Sequence, residues 1–350
     1  MRNKDVLTDD YRKIIRGIPK TEIHLHIEGL ASVETIWSLK EKHNLTLPGI
    51  KSKSDIKKRF NVKNLDDFID LFLNVIQNCF RKEDDLDFLI QDTRDYLKRN
   101  NIFYAEIFFA PSKFVMNGFS FAEMMTHLDN GAQLIQKQDN REVKFFIDVS
   151  RGFGPENAMN NLKLTLKNRR PSIIGIGLGG AESKGPAKEY KKVFKKARAH
   201  GLKVLAHAGE DVGPESIWSA LKDLKVTRIG HGISATFDPK LEKYLAAHQI
   251  PLEICPMSNI FTGKFASSYE DHPIRHLYDS GIYVTVNSDD PTIFGAELDD
   301  EYYNLLINNI FTLKEIFLLM KNNLYATFLS SSDKDHYWKE MKRIMDKCFT

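Results

Sequence analysis

The chain has 350 residues, of which 42% are hydrophobic, and its 50 lysines and arginines nearly balance its 47 aspartates and glutamates. A net charge of only +3, with histidine neutral, excludes the strong basic field that marks a nucleic-acid-binding protein. Three scattered cysteines exclude a disulfide framework, and we find neither a signal-peptide core nor an apolar run of membrane-spanning length. We therefore expect a cytoplasmic protein without nucleic-acid or membrane partners.

Eight short segments rich in apolar and β-branched residues alternate with stretches of helical spacing along the chain. Parallel strands need a crossover between them, so this strict alternation of strand and helix predicts a parallel sheet. Eight such units in a chain of this length favour the α/β fold class and a closed (β/α)₈ (TIM) barrel over an open sheet. The predicted strands are 20–27, 102–109, 143–149, 172–178, 203–208, 226–230, 251–255 and 281–287.

The stretch from about residue 30 to about residue 100 separates the first two predicted strands. Its apolar residues Leu65, Phe68, Ile69 and Phe72 follow the i, i+3, i+4, i+7 spacing of one helix face. We therefore predict a helical insertion after the first strand. No linker, repeat or low-complexity tract divides the sequence, so we expect residues 1–350 to form a single domain.

The first predicted strand contains two histidines, His24 and His26, which alternate with Ile23, Leu25 and Ile27. Successive side chains of a strand point to opposite faces, so both histidines lie on one face. Two imidazoles on one face of a rigid strand form half of a metal site, although a polar strand edge would show the same pattern. The remaining ligands have to come from elsewhere in the chain.

The carboxyl ends of the strands of a (β/α)₈ barrel meet at one mouth, where the active sites of such barrels are found. His207 lies at the end of the fifth predicted strand, and Asp289 follows the eighth. With His24 and His26 they form a ligand set that suits Zn²⁺ or a similar divalent ion and leaves one position for water. We therefore predict one zinc ion per chain, which would lower the pKa of that water and make a nucleophile available near neutral pH.

Three more polar residues lie beside these ligands in the sequence or at a neighbouring strand end. His231 follows the sixth strand and is predicted to take or orient the proton of the water, unless it is a buried histidine of the core. Glu210 acts as a protonated general acid if its surroundings are apolar, or else as a carboxylate at a helix N-terminus. Asp289 and Asp290 would repel each other as free carboxylates, so we expect Asp290 to meet a donor on the substrate.

The ends of the third and fourth predicted strands bring two further features. Residues 175–180 are rich in glycine without forming a dinucleotide-binding fingerprint, and they would let a ligand lie directly on backbone amides. Arg151 follows the third strand. We hypothesise that its guanidinium grips a carboxylate or phosphate at the distal end of the substrate, while an arginine that faces solvent is equally consistent with the sequence.

Five short blocks, in the same order along the chain, resemble the signature blocks of the adenosine/adenine deaminase family of the amidohydrolase superfamily. The resemblance spans roughly residues 17 to 305, and residues 213–218 and 287–295 look most like those of bacterial adenosine deaminase-like enzymes. The blocks are Pro19–Gly29, His207–Glu210, Gly230–Gly232, Cys255–Asn259 and Ser288–Pro291.

The resemblance implies a zinc-dependent (β/α)₈ hydrolase that deaminates a 6-aminopurine, with the same four residues as zinc ligands. In this family zinc-bound hydroxide attacks C6 of the purine, and ammonia leaves. By the same resemblance, Glu210 protonates N1 of the ring, and His231 acts as a base and electrostatic guide. Asp290 is expected to contact N7, and the backbone amide of Gly180 to contact N3.

Two departures from the family pattern bear on the substrate. Glu28 stands where many adenosine deaminases have an aspartate that contacts the ribose, and glutamate there is common in adenine-specific and other subgroups of the family. Residues 177–182, however, lack the Asp-Ser-Ser expected of adenine deaminases. We expect deamination of adenosine or deoxyadenosine to inosine or deoxyinosine, with Glu28 and Arg151 among the substrate-binding residues. Adenine, AMP or dAMP, and aminodeoxyfutalosine stay open as substrates. An inactive purine-binding sensor is the alternative from another class, and the sequence predicts no oligomeric state.

Overall fold

The computed structural model describes residues 2–63 and 65–348, and within them the chain forms the predicted (β/α)₈ barrel. Its eight strands stand in sequence order, and every neighbouring pair is parallel. A parallel bridge between Leu25 and Asp289 joins the last strand end to the first strand. The strands are β1 (Lys20–His26), β2 (Ile102–Phe109), β3 (Glu142–Asp148), β4 (Ile173–Gly177), β5 (Lys203–Ala208), β6 (Arg228–His231), β7 (Leu252–Ile254) and β8 (Val284–Val286).

Helices connect the strands and surround the barrel, and none in the described part of the chain has the length and apolarity needed to span a bilayer. The α-helices are α1 (Arg2–Gly17), α2 (Val33–Lys42), α3 (Lys53–Phe60), α4 (Leu65–Asp70), α5 (Leu86–Arg99), α6 (Ser112–Met116), α7 (Phe121–Asp139), α8 (Gly154–Lys167), α9 (Lys191–Ala199), α10 (Pro214–Ser219), α11 (Pro239–His248), α12 (Pro256–Thr262), α13 (Ile274–Asp279), α14 (Pro291–Phe294), α15 (Leu298–Ile307), α16 (Leu313–Ala326) and α17 (Ser331–Asp346).

Polar residues at the starts of the helices define where several of them begin. Before α3, Ser52 Oγ accepts a hydrogen bond from the backbone N–H of Asp55, and the Asp55 carboxylate accepts one from the backbone N–H of Ser52. Thr312 and Glu315 form the same reciprocal pair at the start of α16. These caps satisfy amide groups that have no partner within the helix.

The segment between β1 and β2 is helical, as predicted, and contains α2 to α5. After α4 the chain continues as a π-helical turn over Leu71–Ile76. The apolar stripe predicted there does not face the barrel core. Leu65, Phe68, Ile69 and Phe72 instead line a cavity at the mouth of the barrel. That residues 1–350 form one domain stays a prediction.

Glycines on β4 make room for aromatic rings in the barrel interior. A Cβ on Gly175 would lie 2.4 Å from the ring of Phe146, and one on Gly177 would lie 2.5 Å from the ring of Phe108. Both rings are buried in a layer with Leu205. The expectation that a ligand uses the space beside these glycines is therefore wrong for Gly175 and Gly177, because protein side chains already fill it.

The last two strands are shorter than predicted. The segment predicted as a strand over 281–287 is regular only over Val284–Val286. Just after this strand, a side chain replaces the backbone as the acceptor toward β1. Oδ1 of Asn287 accepts a hydrogen bond from the backbone N–H of Ile23 at 3.1 Å. Backbone pairing with β1 resumes two residues later, where Asp289 accepts a hydrogen bond from the N–H of His26 at 3.0 Å and donates one to the carbonyl of His24 at 3.2 Å.

Candidate active site

The four predicted metal ligands meet at the carboxyl end of the barrel. One nitrogen from each of His24, His26 and His207 and one oxygen of Asp289 lie within 4.8 Å of one another, and all four residues are buried. Nε2 of His26 lies 3.2 Å from Nε2 of His207 and 3.4 Å from Oδ1 of Asp289. Strand alternation brings the two histidines of β1 to the same side, with their ring centroids 5.7 Å apart.

Hydrogen bonds around this cluster leave specific ring nitrogens for a metal. Nδ1 of His24 donates to Oε2 of Glu253 at 2.8 Å, and Nδ1 of His207 donates to the Leu178 carbonyl at 3.1 Å. Each ring, when neutral, then carries its lone pair on Nε2. The buried Nε2 of His24 makes no hydrogen bond to any described residue. Lone pairs that converge in a buried space repel one another unless a cation lies between them, so this donor set fits a divalent metal.

A chain of hydrogen bonds sets the tautomer of His231. The backbone N–H of Ile274 donates to Nδ1 of His272 at 3.0 Å, and burial lowers the pKa of His272 to about 3, so this neutral ring carries its proton on Nε2. Nε2 of His272 lies 3.3 Å from Oδ1 of Asn259, which turns the amide nitrogen of Asn259 toward Nδ1 of His231 at 3.0 Å. Nδ1 of His231 therefore accepts, and its own proton is on Nε2. Burial also lowers the pKa of His231 to about 3, which keeps the ring neutral.

Glu210 lies beside this ring, with its Oε2 at 3.3 Å from Nε2 of His231. Burial and the neighbouring Asp289 carboxylate raise the pKa of Glu210 well above its usual value, which favours the protonated form of its carboxyl. The backbone here is held by Glu182, whose carboxylate accepts hydrogen bonds from the N–H groups of Gly209 at 2.8 Å and Glu210 at 2.7 Å. Glu210 is thus a buried carboxyl with a raised pKa, and its role as a general acid stays a prediction.

Asp290 lies next to the cluster and behaves differently from Asp289. Burial and repulsion from Asp289 raise the pKa of Asp290 well above its usual value, and its buried Oδ1 has no hydrogen-bond partner among the described residues. Gly29 leaves the space for it, since a Cβ there would lie 2.1 Å from Oδ1 of Asp290. Asp289 itself has a φ of +65°, a left-handed conformation that is strained for a non-glycine residue.

A cavity of about 340 Å³ opens above the cluster. Its lining includes the polar side chains of His26, His207, Glu210 and Asp290 as well as several aromatic rings. Gly180, in a left-handed conformation with a φ of +81°, also borders it. The aromatic residues that line it are Phe68, Phe72, Phe153, Phe261 and Phe294.

Two residues predicted to bind substrate do not border this cavity. Glu28 is fully buried, and its Oε1 accepts hydrogen bonds from the Gln77 side chain and the Ala110 backbone, both at 3.0 Å. The Arg151 guanidinium is also buried and donates to backbone carbonyls, among them that of His207 at 2.8 Å. The geometry thus gives no support for substrate contact by either residue. Arg151 instead connects the loop that follows β3 with the loop that follows β4 and with the end of β5 itself.

Several residues of the site were not predicted from the sequence. Glu253 shows a signal, because a charged residue inside a buried strand needs a partner. Asp148 lies at the end of β3 and borders the cavity, so the strand-end argument that selected His207 applies equally to it. Asn259 lies in a block that resembles the family but carried no predicted role. His272 lies in a loop and shows no signal in the sequence.

Known proteins resemble this chain over most of its length. The family model described as adenosine deaminase matches residues 19–344. An adenine deaminase of Crocosphaera subtropica is 35% identical over 329 residues, which cover 93% of this chain and 99% of that protein. An aminodeoxyfutalosine deaminase of Streptomyces avermitilis is 33% identical over 332 residues, which cover 93% of this chain and 90% of that protein. The crystal structure of an adenine deaminase from Arthrobacter aurescens matches with a TM-score of 0.88 and 29% identity, over 93% of this chain and 99% of that chain.

Proposed function

This chain belongs to the adenosine deaminase family and is a hydrolytic deaminase of adenine-type substrates, and we propose that it deaminates a 6-aminopurine nucleoside at C6 with one zinc ion per chain. Adenosine or deoxyadenosine would become inosine or deoxyinosine, with release of ammonia. The observation that carries the proposal is a single cavity whose lining joins a metal-type donor cluster to a protonated carboxyl, Glu210, and a neutral imidazole, His231.

His24, His26, His207 and Asp289 are the residues that would hold the metal. Three imidazoles and one carboxylate suit zinc better than the harder ions magnesium and calcium, which prefer oxygen ligands. When bound, such an ion lowers the pKa of a water molecule and so provides a nucleophile near neutral pH.

Glu210 is proposed to act as the general acid toward the purine ring. Its carboxyl is protonated and borders the cavity, so it can donate a hydrogen bond and then a proton to ring N1. Protonation of N1 draws electron density away from C6 and makes that carbon more electrophilic. An ionised glutamate would repel the N1 lone pair, so the elevated pKa is what makes this role feasible at neutral pH.

His231 is proposed to act as an electrostatic guide. Its proton is on Nε2, and that nitrogen lies 3.3 Å from Glu210 and 3.9 Å from Asp289. In this tautomer the ring is a hydrogen-bond donor, so it can orient an attacking oxygen and stabilise the negative charge that develops there. The role of base, which the family resemblance also implies, would need the other tautomer.

The remaining polar groups would orient the base. Asp290, protonated because of its raised pKa, would donate to N7 of the purine, and the Gly180 amide would donate to N3. Together with Glu210 at N1, these donors match the acceptor nitrogens of an aminopurine ring.

A nucleoside is proposed because the cavity is large and is lined by apolar as well as polar side chains. Its volume of about 340 Å³ lies within the range of pockets that hold whole drug-like ligands, and phenylalanines such as Phe68 and Phe153 border it. The nucleotide is less favoured, since Arg151, the cation assigned to a distal phosphate, binds carbonyls instead. Adenine is the second candidate, because a relative of 35% identity carries that substrate in its name.

The test is a substrate panel on zinc-loaded enzyme, followed by the ultraviolet change as 6-amino becomes 6-oxo. The panel contains adenosine, deoxyadenosine, adenine, AMP, dAMP and aminodeoxyfutalosine. We expect the highest kcat/KM on a nucleoside, with turnover lost in the Glu210→Gln variant. No turnover of any member by zinc-loaded enzyme would contradict the proposal and favour a purine-binding sensor.

A further inference from the structure

Asp148, at the end of β3, places an unused acceptor in the wall of the cavity. The residue is only 4% exposed, and its Oδ1 is buried without a hydrogen-bond partner among the described residues. The backbone N–H of Gly179 faces this carboxylate and favours its charged form. A buried carboxylate oxygen that lacks a donor is unfavourable, so a ligand that brings a donor to this point gains a strong hydrogen bond.

The carboxylate of Asp148 occupies space that a side chain at position 179 would fill. A Cβ at that position would lie 2.6 Å from Oδ2 and 3.0 Å from Oδ1 of Asp148. The absence of a side chain at position 179 therefore lets Asp148 lie against the loop after β4. The next residue in this loop is Gly180, whose amide is proposed to contact N3 of the purine.

The order of the strands matches the order of atoms around the purine. In the proposed orientation, Glu210 after β5 meets N1, and Gly180 after β4 meets N3. The next strand in the barrel is β3, which ends at Asp148. The next nitrogen around the ring is N9, because N3 and N9 are both bonded to C4. Asp148 thus faces the position at which a nucleoside carries its sugar and a free base carries a ring N–H.

We propose that Asp148 is a specificity-determining residue that accepts a hydrogen bond from a donor on the N9 side of the substrate, which in the proposed nucleoside substrate is a ribose hydroxyl. This inference rests on the proposed function. The cavity beside Asp148 is bordered by Ser150 and Phe153 from the same loop, so the sugar would lie over the chain that follows β3.

The charge of Asp148 limits what it can recognise. Burial raises the pKa of Asp148 to about 6, against the lowering effect of the Gly179 amide, so the group is mostly ionised above pH 7. An ionised carboxylate only accepts hydrogen bonds. A hydroxyl or a ring N–H fits this position, whereas a phosphate or a bare ring nitrogen would be repelled.

The experiment measures kcat/KM of zinc-loaded wild type, Asp148→Ala and Asp148→Asn on adenosine, its 2′-, 3′- and 5′-deoxy analogues, and adenine. We expect Asp148→Ala to lower kcat/KM about 10- to 100-fold on adenosine, the usual value of a hydrogen bond to a charged group. The analogue that lacks the recognised hydroxyl should be slower with wild type by a similar factor and insensitive to the substitution.

Comparison of the two variants distinguishes a lost hydrogen bond to the substrate from a disturbed fold. Asparagine keeps the volume of the side chain, and its oxygen would stay on the Gly179 N–H, so its NH₂ group would point at the substrate. We therefore expect Asp148→Asn to be at least as impaired on adenosine as Asp148→Ala. The matched control is Asp346→Asn, an exposed position on α17, and zinc content and melting temperature are measured for every variant.

Each result has a defined meaning. A loss confined to adenine would retain the role of Asp148 and identify the donor as the ring N–H. An equal loss on every substrate, or none, would overturn it while leaving the proposed function intact. If wild type turns over no member of the panel, the proposed function fails, and calorimetric binding of inosine to wild type and Asp148→Ala decides the inference. Weaker binding to the variant would support it, whereas equal or absent binding would overturn it.

Discussion

Nδ1 of His24 donates a hydrogen bond of 2.8 Å to Oε2 of Glu253 inside the barrel, and neither side chain is exposed. The other oxygen of Glu253 binds the buried guanidinium of Arg228, which also binds Glu106. Burial opposes ionisation of Glu253, but Arg228 and His24 hold its pKa below the usual value. A charged carboxylate therefore fixes the ring of His24 and leaves Nε2 for the metal.

Removal of this charge should weaken metal binding. Glu253→Gln is expected to lower zinc affinity about 10- to 100-fold, because a neutral amide polarises the imidazole less than a carboxylate does. Zinc affinity is measured by chelator competition. Glu106→Gln is the matched control, since Glu106 binds the same Arg228 but contacts none of the four proposed metal ligands. Equal zinc affinities of the two variants would show that the contact with His24 does not tune the site.

Zinc should stabilise the folded protein in addition to supporting its activity. A metal that binds the four proposed ligand side chains only where the fold brings them together stabilises the folded state, so the melting temperature of the metal-free protein should rise as zinc is added. His207→Ala should lose most of this rise. His200→Ala, at an exposed histidine near the end of α9, should keep it. A melting temperature independent of zinc in the wild type would argue against a metal at this cluster.

The tautomer of His231 should depend on Asn259. In Asn259→Asp a carboxylate faces Nδ1, draws the proton of His231 to that atom and raises its pKa from about 3. We expect kcat to fall about 10²-fold. Since the neutral ring is the active form, the acid limb of the kcat profile should also move to higher pH. A profile that coincides with that of the wild type would show that this amide does not set the protonation of His231.

Gly29 should tolerate no side chain. In Gly29→Ala the new Cβ would overlap Oδ1 of Asp290, at a separation of 2.1 Å, so Asp290 must leave its position. We expect kcat/KM to fall at least about tenfold, mainly through KM, because a hydrogen bond that positions the base is lost. Gly17→Ala is the matched control, since no atom lies within 4 Å of its new Cβ. Unchanged KM in Gly29→Ala would remove Asp290 from substrate binding.

Arg151 should contribute to the stability of the fold and should not recognise a negative charge on the substrate. Its guanidinium donates to four backbone carbonyls, three of them in buried hydrogen bonds, and Arg151→Ala removes all four of these bonds from the protein interior. We expect the free energy of unfolding to fall by about 2–4 kcal/mol, from denaturant titration. The ratio of rates on AMP and adenosine should stay the same. Arg169→Ala, an exposed arginine with one carbonyl contact, should change neither quantity. A selective loss on AMP would restore Arg151 to a role in binding a distal anion.

The barrel and the meeting of His24, His26, His207 and Asp289 were predictable because they depend on short-range patterns. Strand and helix alternate in the sequence, and the period of two in β1 puts His24 and His26 on one face. Chemically distinctive residues at other strand ends, such as His207 and Asp289, then had to meet at the same mouth. The assignments of Glu28 and Arg151 rested on sequence position alone, which does not tell whether a side chain points into a cavity or into the protein.

By itself, the sequence determined the order of the strands, the faces of their side chains and the kinds of donor at the barrel mouth, since these follow from the backbone period and residue type. Tertiary structure alone decided the state of each group. His24 meets Glu253 across 229 residues of chain, and the tautomer of His231 depends on a backbone amide in another loop. Protonation of Glu210 and the unused acceptor of Asp148 likewise arise from burial and from neighbours distant in sequence, because hydrogen bonds and charge interactions act through space.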